Sequence, residues 1–323
     1  MVAAVRVHKT GGPEVLTYED VAIPAPGQGQ IKIKQHACGV NFIDCYFRNG
    51  SYPAPSMPFI AGNESAGEVI AVGPGVTDLK VGDRVAYVGP LGGYAAERVF
   101  NADRAVKLPN NISYEQAAGM MLKGMTVQYL LNRTFKVGKG TICLIHAAAG
   151  GVGLIACQWA NHLGATVIGT VGSKEKAELA KKNGAHHTIL YRDEDFVAKV
   201  KEITSGKLCD VVYDGIGKDT FPASLDCLRP LGYFVSFGSA SGQIAAFNIN
   251  LLQAKGSLFA TRPTLNHYAA KREDLVSMAN DLFNVVGSGA VKIPTHSYAL
   301  KDAVQSHQDL EGRKTTGSVI LVP

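Results

Sequence analysis

The stretch from residue 141 to 156, TICLIHAAAGGVGLIA, constrains the fold more than any other part of the chain. An apolar, β-branched run leads into a cluster of glycines, and a helical pattern follows it. Gly151-x-Gly153-x-x-Ala156 fits the G-x-G-x-x-G/A fingerprint, which lies between a strand and a helix in dinucleotide-binding units. Glycines let the backbone approach a pyrophosphate, and a helix N-terminus attracts its charge. The stretch therefore predicts a nucleotide-binding βαβ unit.

The residues after the second strand of this unit indicate which dinucleotide binds. NAD-binding units usually carry Asp or Glu near the end of that strand, about 20 residues after the glycines. Here the strand at 165–170 runs into VGSKEK (171–176), with no carboxylate at its tip. Ser173 and Lys176 would supply donors to a 2′-phosphate, so we predict NADPH. Glu175 would weaken this prediction if it pointed inward, and a solvated helix face is the alternative interpretation.

Strand and helix patterns continue to alternate after the fingerprint. Six alternating strands predict a doubly wound parallel sheet, which is the Rossmann arrangement. A helix is predicted at 150–163, and strands are predicted at 141–146, 165–170, 187–190, 210–214, 232–238 and 256–260.

The first 120 or so residues have a different pattern. Ile31-Lys32-Ile33-Lys34 alternates with period two, as a half-exposed strand does. Further short β-like runs at 68–72, 84–88 and 94–100 are separated by Gly and Pro turns, and an apolar run at 318–322 predicts a final strand. We therefore predict a β-rich, barrel-like domain of residues 1–124 and 262–323, beside a nucleotide-binding domain of residues 125–261. The active site is expected between the two, where pockets commonly form.

Composition excludes several other classes of protein. A net charge of +5 with both signs interspersed gives no basic stripe for nucleic acid, although it suits an anionic cofactor. The start, MVAAVRVHKT, lacks the apolar core of a signal peptide, and no segment is long and apolar enough to span a membrane. Six scattered cysteines do not form a disulfide pattern. We expect a soluble, cytoplasmic protein.

Segments along the whole chain resemble one family. They include HKTGGPEVL (8–16), GVNFIDCYFRNGSYP (39–53), GNESAGEVIAVGPGV (62–76), HAAAGGVGLIACQWA (146–160), GTVGSKEKAELA (169–180) and VSFGSASG (235–242). The chain resembles the zinc-free quinone oxidoreductase (zeta-crystallin-like) branch of the medium-chain dehydrogenase/reductases. One departure is Asn161, where the family more often has a basic residue or serine. The resemblance implies a GroES-like β-barrel catalytic domain, a Rossmann domain, NADPH-dependent reduction of a quinone, and a homodimer joined through the edge of the parallel sheet.

Two segments bear on whether a metal is bound. By resemblance, Asn41 stands where zinc-dependent relatives have a catalytic cysteine, and Gly62-Asn63-Glu64 stands where they have Gly-His-Glu. Neutral amides are poor replacements for thiolate and imidazole around Zn²⁺. The four-cysteine structural lobe is absent as well. We therefore predict no metal.

The resemblance also implies site residues. Asn41, Tyr46 and Tyr52 are candidates for the catalytic side, and Tyr46 and Tyr52 have loop packing as the alternative. Asp44 is predicted to be structural rather than a general acid. The implied cofactor-binding residues are Asn41, Phe42, Ile43, Tyr129, Gly151, Val152, Gly172, Ser173, Lys176, Tyr191, Gly238, Ser241, Thr264, Leu265 and Arg313.

Two other functions stay open at this stage. Reduction of a conjugated C=C bond in an enal or enone uses the same hydride geometry with a different pocket. A non-enzymatic, nucleotide-binding or crystallin-like role belongs to a different class.

Overall fold

The parallel sheet predicted around the fingerprint is present in the computed structural model, which describes residues 1–323. The chain divides into two units. The first unit comprises Met1–Met125, Lys271–Gly287 and Ile293–Pro323. The second comprises Thr126–Ala270 and Ser288–Lys292.

The strands and helices are numbered here in chain order. The strands are β1 (Val2–Val7), β2 (Leu16–Val21), β3 (Gln30–Val40), β4 (Phe59–Ile60), β5 (Glu64–Val72), β6 (Arg84–Val88), β7 (Glu97–Asn101), β8 (Ala105–Lys107), β9 (Ile142–Ile145), β10 (Thr166–Val171), β11 (His187–Leu190), β12 (Cys209–Asp214), β13 (Leu228–Ser236), β14 (Phe259–Thr261), β15 (Thr295–Ala299) and β16 (Ser318–Val322). The helices are α1 (Phe42–Arg48), α2 (Tyr114–Tyr129), α3 (Gly151–His162), α4 (Lys174–Lys182), α5 (Phe196–Ile203), α6 (Asn250–Ala254), α7 (Leu265–Tyr268), α8 (Arg272–Gly287) and α9 (Ala303–Glu311).

The second unit contains a six-stranded sheet in the order β11-β10-β9-β12-β13-β14, and every neighbouring pair is parallel. The order reverses at β9, which is the first strand of the fingerprint. Leu144, Ile168, Val212 and Phe234 from its central strands are buried in one core cluster. The predicted doubly wound sheet is therefore confirmed. In such sheets the carboxyl ends of the strands form the ligand-binding edge.

The strands of the first unit are antiparallel except for the parallel pair β15 and β16. Its larger sheet runs β15-β16-β3-β5-β6-β8, with β7 paired to β3, and a smaller sheet runs β2-β1-β4. In β3, Ile31 and Ile33 are buried whereas Lys32 and Lys34 lie toward solvent, as the period-two pattern predicts. None of the helices in the chain has the length and apolar character needed to cross a membrane.

Candidate functional site

The first group of predicted site residues lies where β3 passes into α1. Asn41 is the N-cap of α1 and forms a capping box with Asp44, the residue at the third helical position. The backbone N–H of Asn41 donates to Asp44 Oδ2 at 2.8 Å. An Asn three residues before an acidic residue is a favourable helix start, because both satisfy backbone donors that the first turn leaves unpaired. The local sequence therefore fixes the position of the Asn41 side chain.

Two amide–carboxylate hydrogen bonds join this helix start to the start of β5. Asn41 Nδ2 donates to Glu64 Oε1 at 2.7 Å, and Asn63 Nδ2 donates to Asp44 Oδ1 at 2.6 Å. All four side chains are buried. Each segment thus supplies one amide and one carboxylate to the other. We call this arrangement the reciprocal clip, and it fixes the two segments where the resemblance places zinc ligands in other relatives.

A buried ammonium group pairs with Glu64, one of the two carboxylates of the clip. Lys123 Nζ lies 3.2 Å from Glu64 Oε1 and also donates to the carbonyl oxygen of Val40. The backbone N–H of Leu122 donates to the other Glu64 oxygen. Burial raises the pKa of Asp44 to about 6, against hydrogen bonds from Asn63, Asn41 and Tyr94 that lower it. Asp44 is therefore ionised at neutral pH and accepts hydrogen bonds from all three groups.

The aromatic residues predicted near the acceptor lie together. The rings of Tyr46 and Tyr52 are 5.3 Å apart with planes tilted by 56°, and the backbone N–H of Tyr52 donates to the Tyr46 carbonyl. Tyr52 also contacts the ring of Phe47 edge-on at 5.8 Å. Phe42, Ile43, Tyr46 and Tyr52 are all half-buried. Helix α1 and the loop after it thus present one aromatic cluster, and both the catalytic and the packing interpretation fit it.

The fingerprint residues form the N-terminus of α3. The N-cap residue, Gly150, has no side chain to cap the helix, so the first N–H groups of α3 have no side-chain partner there. A Cβ atom at Gly153 would lie 2.3 Å from the carbonyl oxygen of Ala147 and 2.7 Å from Cα of Ala148. The third position of the fingerprint therefore requires glycine, because the helix packs directly on the backbone of the turn. Gly151 and Val152 are half-buried in the first turn.

The predicted phosphate residues lie at the carboxyl end of β10. Ser173 caps α4 by accepting from the backbone N–H of Lys176 at 3.3 Å. Its hydroxyl also contacts the Glu175 carboxylate, and this hydrogen bond lowers the pKa of Glu175. Glu175 is therefore close enough to Ser173 to repel an anion bound there. This is the arrangement of Glu175 that would weaken the prediction of NADPH. Lys176 is half-buried and belongs to the same first turn.

A further cation lies near this turn. A Cβ atom at Gly172 would be 3.4 Å from Tyr191 Oη and 3.6 Å from Arg192 Nε. Sequence analysis included Tyr191 and missed Arg192, although Arg192 directly follows it at the end of β11. The absent side chain of Gly172 thus leaves a space lined by a phenol and a guanidinium group.

The remaining predicted cofactor residues of the second unit follow the later strands. Gly238 comes after β13, and a Cβ atom there would lie 2.5 Å from the carbonyl oxygen of Gly215. The Ser241 hydroxyl donates to the Ile216 carbonyl at 2.9 Å. Thr264 is the exposed N-cap of α7, and Leu265 is buried behind it. These residues, together with Gly151, Val152, Gly172, Ser173, Lys176 and Tyr191, all follow carboxyl ends of the parallel strands.

Two predicted residues lie elsewhere. Tyr129, at the end of α2, is only 2% exposed, and its ring stacks on Tyr268 at 4.6 Å with an angle of 6° between the planes. Little of its ring is left for a ligand. Arg313 belongs to the first unit, where it follows α9 with a left-handed φ of 57°. It is exposed.

Sequence analysis also missed a buried carboxylate at the end of β12. Asp214 is fully buried and accepts from the backbone N–H groups of Ile216 and Gly217 at 2.8 and 3.0 Å. Its other oxygen accepts from Thr220 Oγ1 at 2.7 Å. Asp214 thereby fixes the turn against which Gly238 and Ser241 pack. An acidic residue followed by glycine at a strand end was the available signal.

Both units match known families. Residues 27–131 match the alcohol dehydrogenase GroES-like domain, and residues 151–277 match the nucleotide-binding part of the dehydrogenases described as zinc-binding dehydrogenase. Within the described residues, no three His, Cys, Asp or Glu side chains are grouped so that they would hold a metal ion. Fold and site thus define a two-domain dehydrogenase of the alcohol dehydrogenase type.

Individual relatives narrow this class. A quinone oxidoreductase from Pseudomonas aeruginosa is 51% identical over 97% of both chains. The crystal structure of the Escherichia coli quinone oxidoreductase complexed with NADPH has a TM-score of 0.97 and 48% identity, and the match covers 99% of this chain and 100% of that one. A 2-haloacrylate reductase from a Burkholderia species is 47% identical over 100% of this chain and 99% of its own. The chain therefore belongs to the quinone oxidoreductase branch of the medium-chain dehydrogenase/reductase family, and the fold predicted from that resemblance is confirmed.

Proposed function

We propose that this chain is an NADPH-dependent quinone oxidoreductase. The observation that carries the proposal is the sequence identity to known quinone oxidoreductases. Several proteins of that name are about 50% identical to this chain over nearly its full length, and one of them was crystallised with NADPH. The residues of this chain fit the cofactor. The uncapped N-terminus of α3 and the space beside Gly172 are features that a dinucleotide phosphate requires.

The cofactor residues that the resemblance implies are assigned here to the parts of NADPH. Gly151 and Val152 would hold the pyrophosphate, and Ser173, Lys176 and Tyr191 would hold the adenosine end with its 2′-phosphate. NADPH, when bound, supplies a hydride. Asn41, Phe42 and Ile43 of the first unit are assigned to the nicotinamide end. The remaining proposed cofactor residues are Tyr129, Gly172, Gly238, Ser241, Thr264, Leu265 and Arg313.

The residues around the clip can orient a flat acceptor. A quinone accepts hydride at modest cost, and the hydroquinone anion is delocalised and takes its proton from water, so positioning is the main task of the protein. We assign Tyr46 and Tyr52 to hydrogen bonding and stacking of the acceptor, because phenols combine a ring with a donor. The Asn41 amide is fixed by Glu64 and so presents one orientation to its ligand.

We also propose that the reaction uses no metal ion. The support is positive: the amides of Asn41 and Asn63 are committed to Glu64 and Asp44 rather than open toward a metal. Neutral amides are poor replacements for thiolate and imidazole around Zn²⁺, and here their N–H groups already donate to the two carboxylates.

We also propose that the protein is a homodimer and that it is located in the cytoplasm. The edge strand β14 exposes half of Phe259, and Phe247 and Ile249, which precede α6 in the chain, are 42% and 71% exposed. An apolar sheet edge of this kind is suited to pairing with a second copy. A monomeric mass in sedimentation equilibrium would contradict it.

The second candidate is reduction of a conjugated C=C bond, which the 2-haloacrylate reductase relative favours. Consumption of NADPH, followed at 340 nm, separates the candidates when quinones, alkenals and 2-haloacrylate are offered in turn. We expect fast turnover with quinones and slow turnover with the others. Turnover with only the alkenals or 2-haloacrylate would replace the proposal by the second candidate, and no turnover with any acceptor would favour a binding role.

Lys176→Ala is expected to weaken NADPH binding about tenfold or more and to leave NADH binding nearly unchanged. One hydrogen bond to a charged group contributes roughly 1.5–3 kcal/mol, and only NADPH carries the phosphate. Dissociation constants for both cofactors, measured by fluorescence, check this. Lys174→Ala is the matched control, because Lys174 is the exposed lysine of the same turn. Equal losses of NADPH and NADH affinity in Lys176→Ala would refute the phosphate assignment.

A further inference from the structure

Four buried side chains of the first unit form a continuous hydrogen-bonded chain beside the reciprocal clip. Arg48 Nη1 lies 2.9 Å from His307 Nδ1, His307 Nε2 lies 3.0 Å from Tyr94 Oη, and Tyr94 Oη lies 3.0 Å from Asp44 Oδ2. None of the four side chains is more than 2% exposed. This series of hydrogen bonds connects α9 with the start of α1 through Tyr94, which lies between them.

The direction of every bond in this chain follows from Arg48. A guanidinium group only donates, so His307 Nδ1 accepts, and the neutral ring carries its proton on Nε2. That N–H donates to the Tyr94 oxygen, and the single hydroxyl proton of Tyr94 is left to donate to Asp44. Burial and the charge of Arg48 lower the pKa of His307 to about 3, so the ring is neutral at ordinary pH.

The charged groups around the chain support this arrangement. Arg48 is held by two hydrogen bonds to Glu311, at 2.7 and 3.1 Å. The Cys45 thiol lies 3.6 Å from His307 Nδ1, and burial raises the pKa of that thiol, which keeps it neutral. On the other side, Asp44 faces the neutral amide of Asn63 and the charge of Glu64, which is paired with Lys123. The neutral Cys45 thiol can only add a second, weaker donor at His307 Nδ1, so Nδ1 is an acceptor with either partner.

We propose that His307 is a positioning residue of the reductase. It orients the Tyr94 hydroxyl so that this group donates its hydrogen bond to Asp44, and Asp44 in turn holds Asn63 and the backbone of Asn41. This inference rests on the proposed function, since it concerns the Asn41 end of the proposed NADPH site. Because His307 contacts neither cofactor nor substrate residues, it acts through Tyr94 and Asp44.

The role of His307 predicts a specific pH dependence. Asp44 accepts three hydrogen bonds only while it is ionised, and its pKa is about 6. Protonation below that pH adds a hydrogen where three donors already point, so kcat/KM and NADPH affinity should fall as the pH drops through about 6. Without His307, the Tyr94 proton is free to turn away from Asp44. Loss of that donor raises the pKa of the carboxyl, and the acidic limb should move up by roughly one pH unit.

The test compares pH profiles of kcat/KM and of the NADPH dissociation constant for four variants. His307→Phe and Arg48→Met should both shift the limb upward, the second because His307 then no longer has to accept at Nδ1. His307→Gln, which retains an acceptor and a donor, should keep the limb closer to that of the wild type. Ser306→Ala is the matched control, since Ser306 is equally buried on α9 and only donates to the Ala303 carbonyl. An unshifted limb in His307→Phe would overturn the proposal.

A measurement on the wild type covers the case in which these variants do not fold. The ¹⁵N chemical shifts of the imidazole ring in the NADPH-bound protein should report a neutral, Nε2-protonated His307 from pH 8 down to pH 5. An Nδ1-protonated ring, or titration near pH 6.5, would overturn the proposal. Neither the ring tautomer nor the NADPH affinity requires turnover. A wild type that binds NADPH with this pH dependence but reduces no quinone would reject the proposed reaction and not the role of His307.

Discussion

Glu64→Gln is expected to lower the stability of the first unit by about 3–5 kcal/mol, because it leaves the buried Lys123 without its carboxylate partner. Lys123 is 7% exposed and Glu64 is fully buried, so water cannot replace the lost charge. The new amide also points a donor at the backbone N–H of Leu122, which donates to Glu64 in the native protein. The substitution also removes the carboxylate that fixes the orientation of the Asn41 amide, so NADPH-dependent activity should fall as well.

Calorimetry measures this effect, and the chain provides its own internal reference. The single tryptophan, Trp159, belongs to the second unit, and its fluorescence follows that unit separately. Glu64→Gln should lower the midpoint of the calorimetric transition by roughly 6 °C or more, given that about 1 kcal/mol shifts a unit of this size by 2–4 °C.

Two further variants distinguish the buried ion pair from a general effect of losing a carboxylate. Glu19→Gln removes the half-buried partner of Arg6 and His8, at 3.0 and 2.9 Å, and should cost less than about 1 kcal/mol because water still reaches these groups. Glu64→Gln combined with Lys123→Met removes both buried charges and should recover much of the loss. A Glu64→Gln variant as stable as Glu19→Gln would show that Lys123 finds other compensation.

The sequence predicts the strands of this protein well where burial follows a simple apolar pattern. The final strand, Ser318–Val322, has the bounds expected from its apolar run, and β11 also begins and ends where predicted. The central strands β9, β10 and β12 of the second unit are equally regular, because they are buried and consist mainly of apolar residues. The ligand edge of their sheet followed from the glycines alone.

The pattern fails where buried polar residues pair with distant parts of the chain. β5 was predicted to begin at Glu68 but begins at Glu64, because Glu64 and Ser65 are buried in spite of their polarity. Their partners, Lys123 and Gln35, are 59 and 30 residues away. No periodicity records such a pairing. β13 likewise begins at Leu228 rather than at residue 232. Pro230 and Gly232 interrupt the apolar pattern of the sequence, although Leu228 already pairs with Cys209 of β12.

The same limit applies to the candidate site. Asn41, Asp44 and Asn63 were identified from their positions in the motifs, but their mutual bonds were not. His307 lies 262 residues from Cys45 and had no motif of its own, so only the folded chain places it beside Arg48. Tyr129 shows the same limit, since its match to a family position gave no sign that its ring stacks on Tyr268. Motifs therefore supplied the proposed ligand-facing residues, and the fold was needed to identify the groups that hold them in place.

Gly153→Ala is expected to reduce kcat/KM for NADPH-dependent turnover by about 100-fold, which is the effect of displacing a positioned group by about 1 Å. The new Cβ would lie 2.3 Å from the Ala147 carbonyl oxygen and 2.7 Å from the backbone of Ala148. Both contacts are to backbone atoms, so no side chain can rotate to relieve them. Helix α3 must move away from the turn, and its first N–H groups move with it, away from the proposed pyrophosphate position.

The matched control for Gly153→Ala is Gly138→Ala, in the same unit, where an added Cβ would meet no atom within 4 Å. That variant should bind NADPH as the wild type does. Fluorescence titration with NADPH and calorimetry together separate a displaced helix from general unfolding, since overpacking of this kind costs typically 1–3 kcal/mol in stability. If Gly153→Ala retained wild-type NADPH affinity, α3 would have to tolerate the shift, and the close packing of the fingerprint could not be what positions the pyrophosphate. A large loss of affinity with a stable fold would instead show that the missing Cβ atom at this one position sets the distance between the helix and the cofactor.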